Sequence, residues 1–108
     1  MSPAPPPRDS SLIYIGQKPT MTYVFQVVTQ LNAGPGPVVV KARGNVISRA
    51  VDVVEIVRRR YLENQVTVGT IQIDTERLVN REGREMNVSS ITIPLQRIGA
   101  APAAPSPP

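Results

Sequence analysis

The sequence predicts a two-layer α/β (α+β) sandwich of order β-α-β-α-β-β that ends in a long, protruding β-hairpin. Three observations carry this reading. A strand–turn–helix pattern occurs twice, over residues 12–31 and again over 38–61. Each helical part shows apolar residues at a spacing near 3.6, so both helices have one face for a common sheet. The pattern then changes to period two over 66–79 and 86–98, on either side of a glycine-centred turn.

Taken in order, residues 1–11 and 99–108 hold four prolines each. Such segments neither continue a helix nor bury a core, so they are expected to be disordered or polyproline-like tails around one domain, 12–98. Residues 12–15 read as a short buried strand. From Thr20, the residues Met21, Val24, Phe25, Val28 and Leu31 recur at helical spacing and mark one apolar face. Pro19 stands just before that helix, where an N–H would have lacked a partner anyway. Residues 32–37 (NAGPGP) stop the helix and turn the chain. Val38–Arg43 is the second strand. Asn45 is the expected N-cap of the second helix, whose stripe is Val46, Ala50, Val53, Val54, Val57 and Tyr61. That stripe is rich in β-branched residues, so packing rather than propensity must hold it. In the final hairpin, Ile71/Ile73 and Ile91/Ile93/Leu95 alternate around the turn at 80–85 (NREGRE). Its outer part, 75–88, is polar, and at ~3.3 Å per residue it is long enough to project from the body. Pro94 falls inside the last strand, which predicts an edge position or a strand end there.

Composition narrows the chemistry. A chain of 108 residues supports one domain. It has no cysteine and no histidine. Disulfides and thiolate metal sites are therefore excluded, as are the commonest general base and zinc ligand. No apolar run approaches the ~20 residues that cross a bilayer, and the proline-rich start does not read as a signal peptide. A soluble, intracellular protein with no cofactor, membrane partner or small-molecule substrate is expected.

The net charge of +4 is modest, but its distribution is uneven. Residues 10–51 hold no acid, yet carry Lys18, Lys41, Arg43 and Arg49. Ten of the twelve cations are arginine, which favours bidentate contacts to phosphate over diffuse point charge. Each first-unit feature has a counterpart in the second: a strand leads into a basic turn, GQKP or KARG, and then into a helix. A helix N-terminus offers free N–H groups and about half a positive charge. Two such turns pointing the same way make one surface suited to a polyanion.

The run KARGNVISRAVDVVEIVRRRYL, with IGQKPTMTYV upstream and REGREMNVSSITI downstream, resembles the Alba family of archaeal chromatin proteins. The resemblance spans roughly residues 12–97 in the family's order. It implies a fold like the C-terminal domain of translation initiation factor 3. It also implies a homodimer, or a heterodimer with a paralogue, that binds double-stranded DNA and often RNA without strong sequence preference. The corresponding place in the cell is the cytoplasm, on the chromosome.

The resemblance assigns residues one by one. The family's first turn usually carries two lysines; here they are Gln17 and Lys18, so one charge is missing. A lysine of this pair is an acetylation site in some relatives, and Gln17 is the neutral residue most like its acetylated form. Arg43 matches the basic residue before the turn glycine and is the best single candidate for a phosphate contact. Where the next arginine is common the chain has Asn45, which can cap the helix or donate to phosphate but brings no charge. The role of Lys41 stays open, because strand alternation can turn it onto the sheet's other face. Arg81 and Arg84 match basic residues that relatives place in or near the minor groove, and Asn87 stands where a further arginine is common. Glu82 and Glu85 are close enough in sequence to offset both arginines. Tyr61 stands near an aromatic that joins neighbouring dimers on DNA, although it also continues the core stripe.

Three other function classes fit parts of the sequence. Asp52 and Glu55, three apart on the second helix, have a spacing usable for acid–base chemistry, but nothing converges with them. Arg49, Arg58 and Arg59 are spaced to form helical ion pairs with them instead. An RNA-binding subunit of a ribonucleoprotein predicts the same basic turns as a DNA-coating protein. An adaptor that uses its proline-rich tails is the third class.

Overall fold

The computed structural model describes residues 11–34 and 36–98; the expected tails lie outside these, apart from Ser11. In chain order the elements are β1 (Ser11–Tyr14), α1 (Thr20–Ala33), β2 (Val38–Arg43), α2 (Ile47–Ile56), β3 (Val66–Val68), β4 (Gln72–Val79) and β5 (Glu85–Arg97). A 3₁₀ turn, Gly44–Val46, leads into α2, and a wide π-type turn, Val57–Tyr61, extends it.

The sheet runs β1-β2-β5-β3, with β4 also paired to β5. β1 and β2 are parallel, as strands joined through a helix must be when they are neighbours; the remaining pairs are antiparallel. Alternation decides what each face does. Val38, Val40 and Ala42 on β2, with Ile93 and Leu95 on β5, point into the core beneath the helices. Tyr23, Val24, Val27 and Leu31 from α1, and Ala50, Val53 and Val54 from α2, close that core from above. Both helices cover one face, as the period-two and period-3.6 patterns predict.

Several details differ from the sequence reading. β1 is half-buried rather than buried: Ile13 points inward, while Leu12 and Tyr14 face out. It is an edge strand, with β2 as its sole partner. The α1 stripe is rotated. Met21 and Phe25 are exposed, and Tyr23 and Val27 take their place in the core. The cause is the phenol of Tyr23, whose hydroxyl accepts hydrogen bonds from two backbone amides at the end of β1, so an amphipathic side chain can be buried there. Tyr61 leaves the α2 stripe, because the wide turn shifts it out of the 3.6-residue register and onto the surface. Asn45 makes no capping hydrogen bond; it lies within the 3₁₀ turn, which begins after the extended Arg43.

The third strand is broken into β3 and β4, and Pro94 explains why. In an antiparallel strand a residue's N–H and C=O point the same way. The Pro94 carbonyl accepts the Gly69 N–H at 2.9 Å, so the N–H that proline lacks would face the same neighbour. Pro94 sits mid-strand in β5, not at an end or an edge, and the ladder is interrupted beside it at residues 69–71. A Cβ at position 69 would lie 3.0 Å from Pro94 Cγ. Gly69→Ala must push the proline ring aside and is expected to destabilise the fold by about 1–2 kcal/mol. Thermal unfolding at matched protein concentration should show a drop of roughly 4–16 °C; an unchanged midpoint would refute this account of the break.

β2 pairs with β5 as far as Ser90. Beyond it, Thr75–Val79 and Glu85–Ser89 pair only with each other, so this part of the hairpin stands clear of the body as an arm. Five residue pairs give it a reach of roughly 17 Å before the turn is counted.

Candidate nucleic-acid interface

Because β1 and β2 are parallel, the turns that follow them leave the same end of the sheet. The first is internally braced. The Tyr23 hydroxyl accepts the N–H of Gly16 at 3.0 Å and that of Lys18 at 3.1 Å. Arg49 reaches back from α2 and donates to the Gly16 carbonyl at 2.8 Å. Arg49 is therefore not the helical ion-pair partner that its spacing implied. Two amides of the turn are consumed in holding its shape, so a ligand meets the exposed side chains of Gln17 and Lys18. A rigid turn loses little freedom on binding.

The second turn is built differently. Gly44 adopts φ +66°, a left-handed conformation that glycine takes without penalty, and it opens the 3₁₀ turn. Lys41 and Arg43 lie two apart on β2, so both are on the sheet face away from the helices. Lys41 is half-buried and Arg43 is exposed. Asn45 is exposed beside them. Arg43 Nη1 lies 3.0 Å from Glu76 Oε1 on β4, an ion pair that joins the body to the root of the arm. Both side chains are well exposed, and such pairs contribute ~0–1 kcal/mol, so a phosphate can displace the carboxylate.

The arm ends in a defined turn. Asn80 Oδ1 accepts the N–H groups of Glu82 and Arg84, both at 2.9 Å, and the Asn80 N–H donates to the Arg84 carbonyl at 3.0 Å. Glu85 turns toward Arg77, 3.8 Å away across the arm, rather than toward the tip. Neither Arg81 nor Arg84 has an ion-pair partner among the described residues, so neither guanidinium is tied up by Glu82 or Glu85. Arg81, Arg84 and Asn87 are all exposed.

At the far end of α2, Arg58 and Arg59 converge on Glu55 at 3.4 and 2.7 Å. That occupies the carboxylate which a catalytic pair with Asp52 would need. No cluster of three or more metal-ligating side chains exists among the described residues, and no described helix is long and apolar enough to cross a membrane. Tyr61 stacks on Phe25 with ring centroids 5.9 Å apart and planes inclined by 15°. The two rings lie on the surface one helical turn from Met21, so Tyr61 belongs to a surface cluster and not to the core.

Three residues that shape this interface, Tyr23, Arg49 and Glu76, escaped the sequence reading. Tyr23 left one usable signal: a phenol beside the apolar stripe of a helix needs a polar partner when buried. The pairings of Arg49 and Glu76 span 33 residues each and leave no local trace.

A family model described as Alba matches residues 11–75. The chain belongs to the Alba family. A curated Alba relative from Methanocella arvoryzae, described as a DNA/RNA-binding protein, is 50% identical over 93 residues, covering 86% of this chain and 96% of that protein. Alba from Thermoplasma volcanium matches in structure with a TM-score of 0.75 and 46% identity, over 81% of this chain and all of the other. ALBA1 from Trypanosoma brucei matches with a TM-score of 0.64 and 26% identity, over 84% of this chain and 70% of that one. The Alba match contains both basic turns and Tyr61; nearly all of the arm, including Glu76, Arg81 and Arg84, lies beyond it.

Proposed function

We propose that this Alba-family chain is an architectural protein that coats double-stranded DNA as a dimer, without strong sequence preference. The observation that carries this reading is the convergence of Lys18, Lys41 and Arg43 at one end of the sheet, beside an arm whose tip presents Arg81 and Arg84. Phosphate contacts from the turns would fix the body on the duplex. A thin two-stranded arm suits a groove, where it reads width and phosphate position rather than base identity. Asn45, Asn87 and Gln17 would contribute polar contacts without charge. No residue in this arrangement has a catalytic task.

Dimerisation is supported by an uncovered apolar surface. Val51 on α2 and Ile71 before β4 are exposed and share one shallow depression with Val54, Val68, Ile91 and Ile93, rimmed by the Glu55–Arg58 pair, and the exposed Ile73, register partner of Ile91, adjoins it. Pairing through this face would supply two arms and four basic turns per particle. The Phe25–Tyr61 cluster lies apart from it and would join one dimer to the next along DNA. With a net charge of only +4 per chain, coverage must come from many adjacent dimers, on the chromosome in the cytoplasm.

RNA binding within a ribonucleoprotein is the second reading, and the description of the Methanocella arvoryzae relative as DNA/RNA-binding favours it. Titrating a duplex DNA and a structured RNA against the protein across a salt series separates the two. The DNA reading expects tighter binding to the duplex at matched salt, with log affinity falling linearly in log salt and saturation proportional to duplex length. A clear preference for RNA moves the assignment to the second reading, and binding to neither removes both.

A further inference from the structure

The sheet face opposite the helices is uncovered among the described residues, and it is not uniformly polar. From the strand registers, Tyr14 on β1, Lys41 and Arg43 on β2, and Ser90 and Thr92 on β5 share it. Tyr14 is 65% exposed, and its hydroxyl makes no hydrogen bond among the described residues. Tyr23 provides the contrast: there the phenol is buried and its oxygen serves two amides. No bracing of this kind explains an aromatic ring left open at position 14. Tyr14 is the register partner of Lys41, and it lines one groove with Lys41, Arg43, Glu76 and Ser90.

We infer that this groove takes an unpaired nucleotide of a single strand, with its base stacked on Tyr14 and its phosphate on Lys41 and Arg43, the same cations that contact a duplex when one is bound. The inference rests on the reading that the chain binds nucleic acid, and adds to it the class of ligand that this face takes. In a duplex the faces of the bases are hidden in the stack, so an exposed ring on a flat sheet finds a partner only in an unpaired base. Spacing agrees with the size of a nucleotide. Lys41 is one strand away from Tyr14, about 4.8 Å, and Arg43 is two residues, about 6.6 Å, further along β2. The acid lining the groove, Glu76, is neutralised by Arg43 at 3.0 Å and yields to phosphate as described above. Asp74, the register partner of Ser90, is also on this face, two strands from Arg43; it does not line the groove, and its Oδ1 accepts the Thr75 N–H at 2.7 Å.

The test compares wild type, Tyr14→Ala and Tyr14→Phe for binding to oligothymidylate, oligouridylate and a duplex DNA at fixed salt. Because Tyr14 is exposed, both variants should fold, which circular dichroism checks. Tyr14→Ala is expected to lose roughly tenfold in affinity for both single strands while duplex affinity stays unchanged. Tyr14→Phe, which keeps the ring, should bind all three like the wild type. Equal losses for single strand and duplex, or no loss for either, would overturn the inference. So would a change in oligomeric state on Tyr14→Ala, since another copy of the chain would then be the occupant. A wild type that binds duplex and no single strand sinks this site alone. One that binds neither sinks the proposed function with it.

Discussion

Ile71→Asp combined with Ile73→Asp should abolish the proposed dimer and lower affinity for duplex DNA by at least two orders of magnitude. Ile73 is 80% exposed and Ile71 half so, on a face that continues into Val51 and the partly covered Ile91. A run of large aliphatic residues this open to water is a contact surface awaiting its partner. The break beside Pro94 contributes to it, because residues 69–71 leave the ladder there and Ile71 is freed from strand pairing. Two carboxylates placed in the proposed interface would be desolvated at a cost of several kcal/mol per ion. The consequence for DNA follows from valency. The proposed dimer would engage the duplex with two arms and two sets of turns, and linking two binding units raises overall affinity by roughly 10²–10⁴ without any new contact. Sedimentation gives the oligomeric state and anisotropy the affinity, with circular dichroism at high protein concentration confirming that the variant folds. A variant that remains dimeric, or a monomer that binds duplex as tightly as the wild type, would refute the proposed pairing.

The sequence made the order of elements, the two parallel basic turns and the projecting arm legible because each depends on local periodicity. Valines at every second position in β2 and the α2 stripe from Val46 to Val57 need no distant partner to be recognised. What escaped was decided by contacts between remote segments. Tyr23 displaced Met21 and Phe25 from the α1 face because its hydroxyl had amides to satisfy seven and five residues back. Pro94 appeared to argue against a central strand, yet it is accommodated by a gap in a neighbour 25 residues earlier. Arg49 looked like part of a helical ion-pair series and instead braces the first turn. Asn45 has an amino-acid type that caps helices, but a 3₁₀ entry gives its side chain no such bond. At the site, the positions of Lys18, Arg43, Arg81 and Arg84 were readable from the motifs, whereas their pairing with acids was not. Glu82 and Glu85 seemed to neutralise the tip, while the carboxylate that does pair with a candidate residue is Glu76, at the root of the arm.

That last pairing leads to a second large effect, with opposite signs at its two ends. Arg43→Ala should weaken duplex binding and flatten its salt dependence. Each lost phosphate contact removes about 0.9 from the slope of log affinity against log salt, so a dimer should lose about 1.8. Glu76→Gln should act the other way, because Arg43 must leave its carboxylate before it can bind phosphate. An exposed pair contributes roughly 0.2–1 kcal/mol, so releasing it should tighten binding about 1.4- to 5-fold per chain. The double variant Arg43→Ala/Glu76→Gln separates this competition from a general charge effect. If Glu76 acts only through Arg43, its removal gives no gain once Arg43 is gone; if it merely repels DNA, the gain persists in full. Gln17→Lys is the calibration for both, since it restores the second charge of the first turn without touching this pair. It should steepen the slope by the same ~1.8 per dimer that Arg43→Ala removes. A slope unmoved by either substitution would mean that the basic turns do not face the duplex, and the arms alone would have to carry the binding.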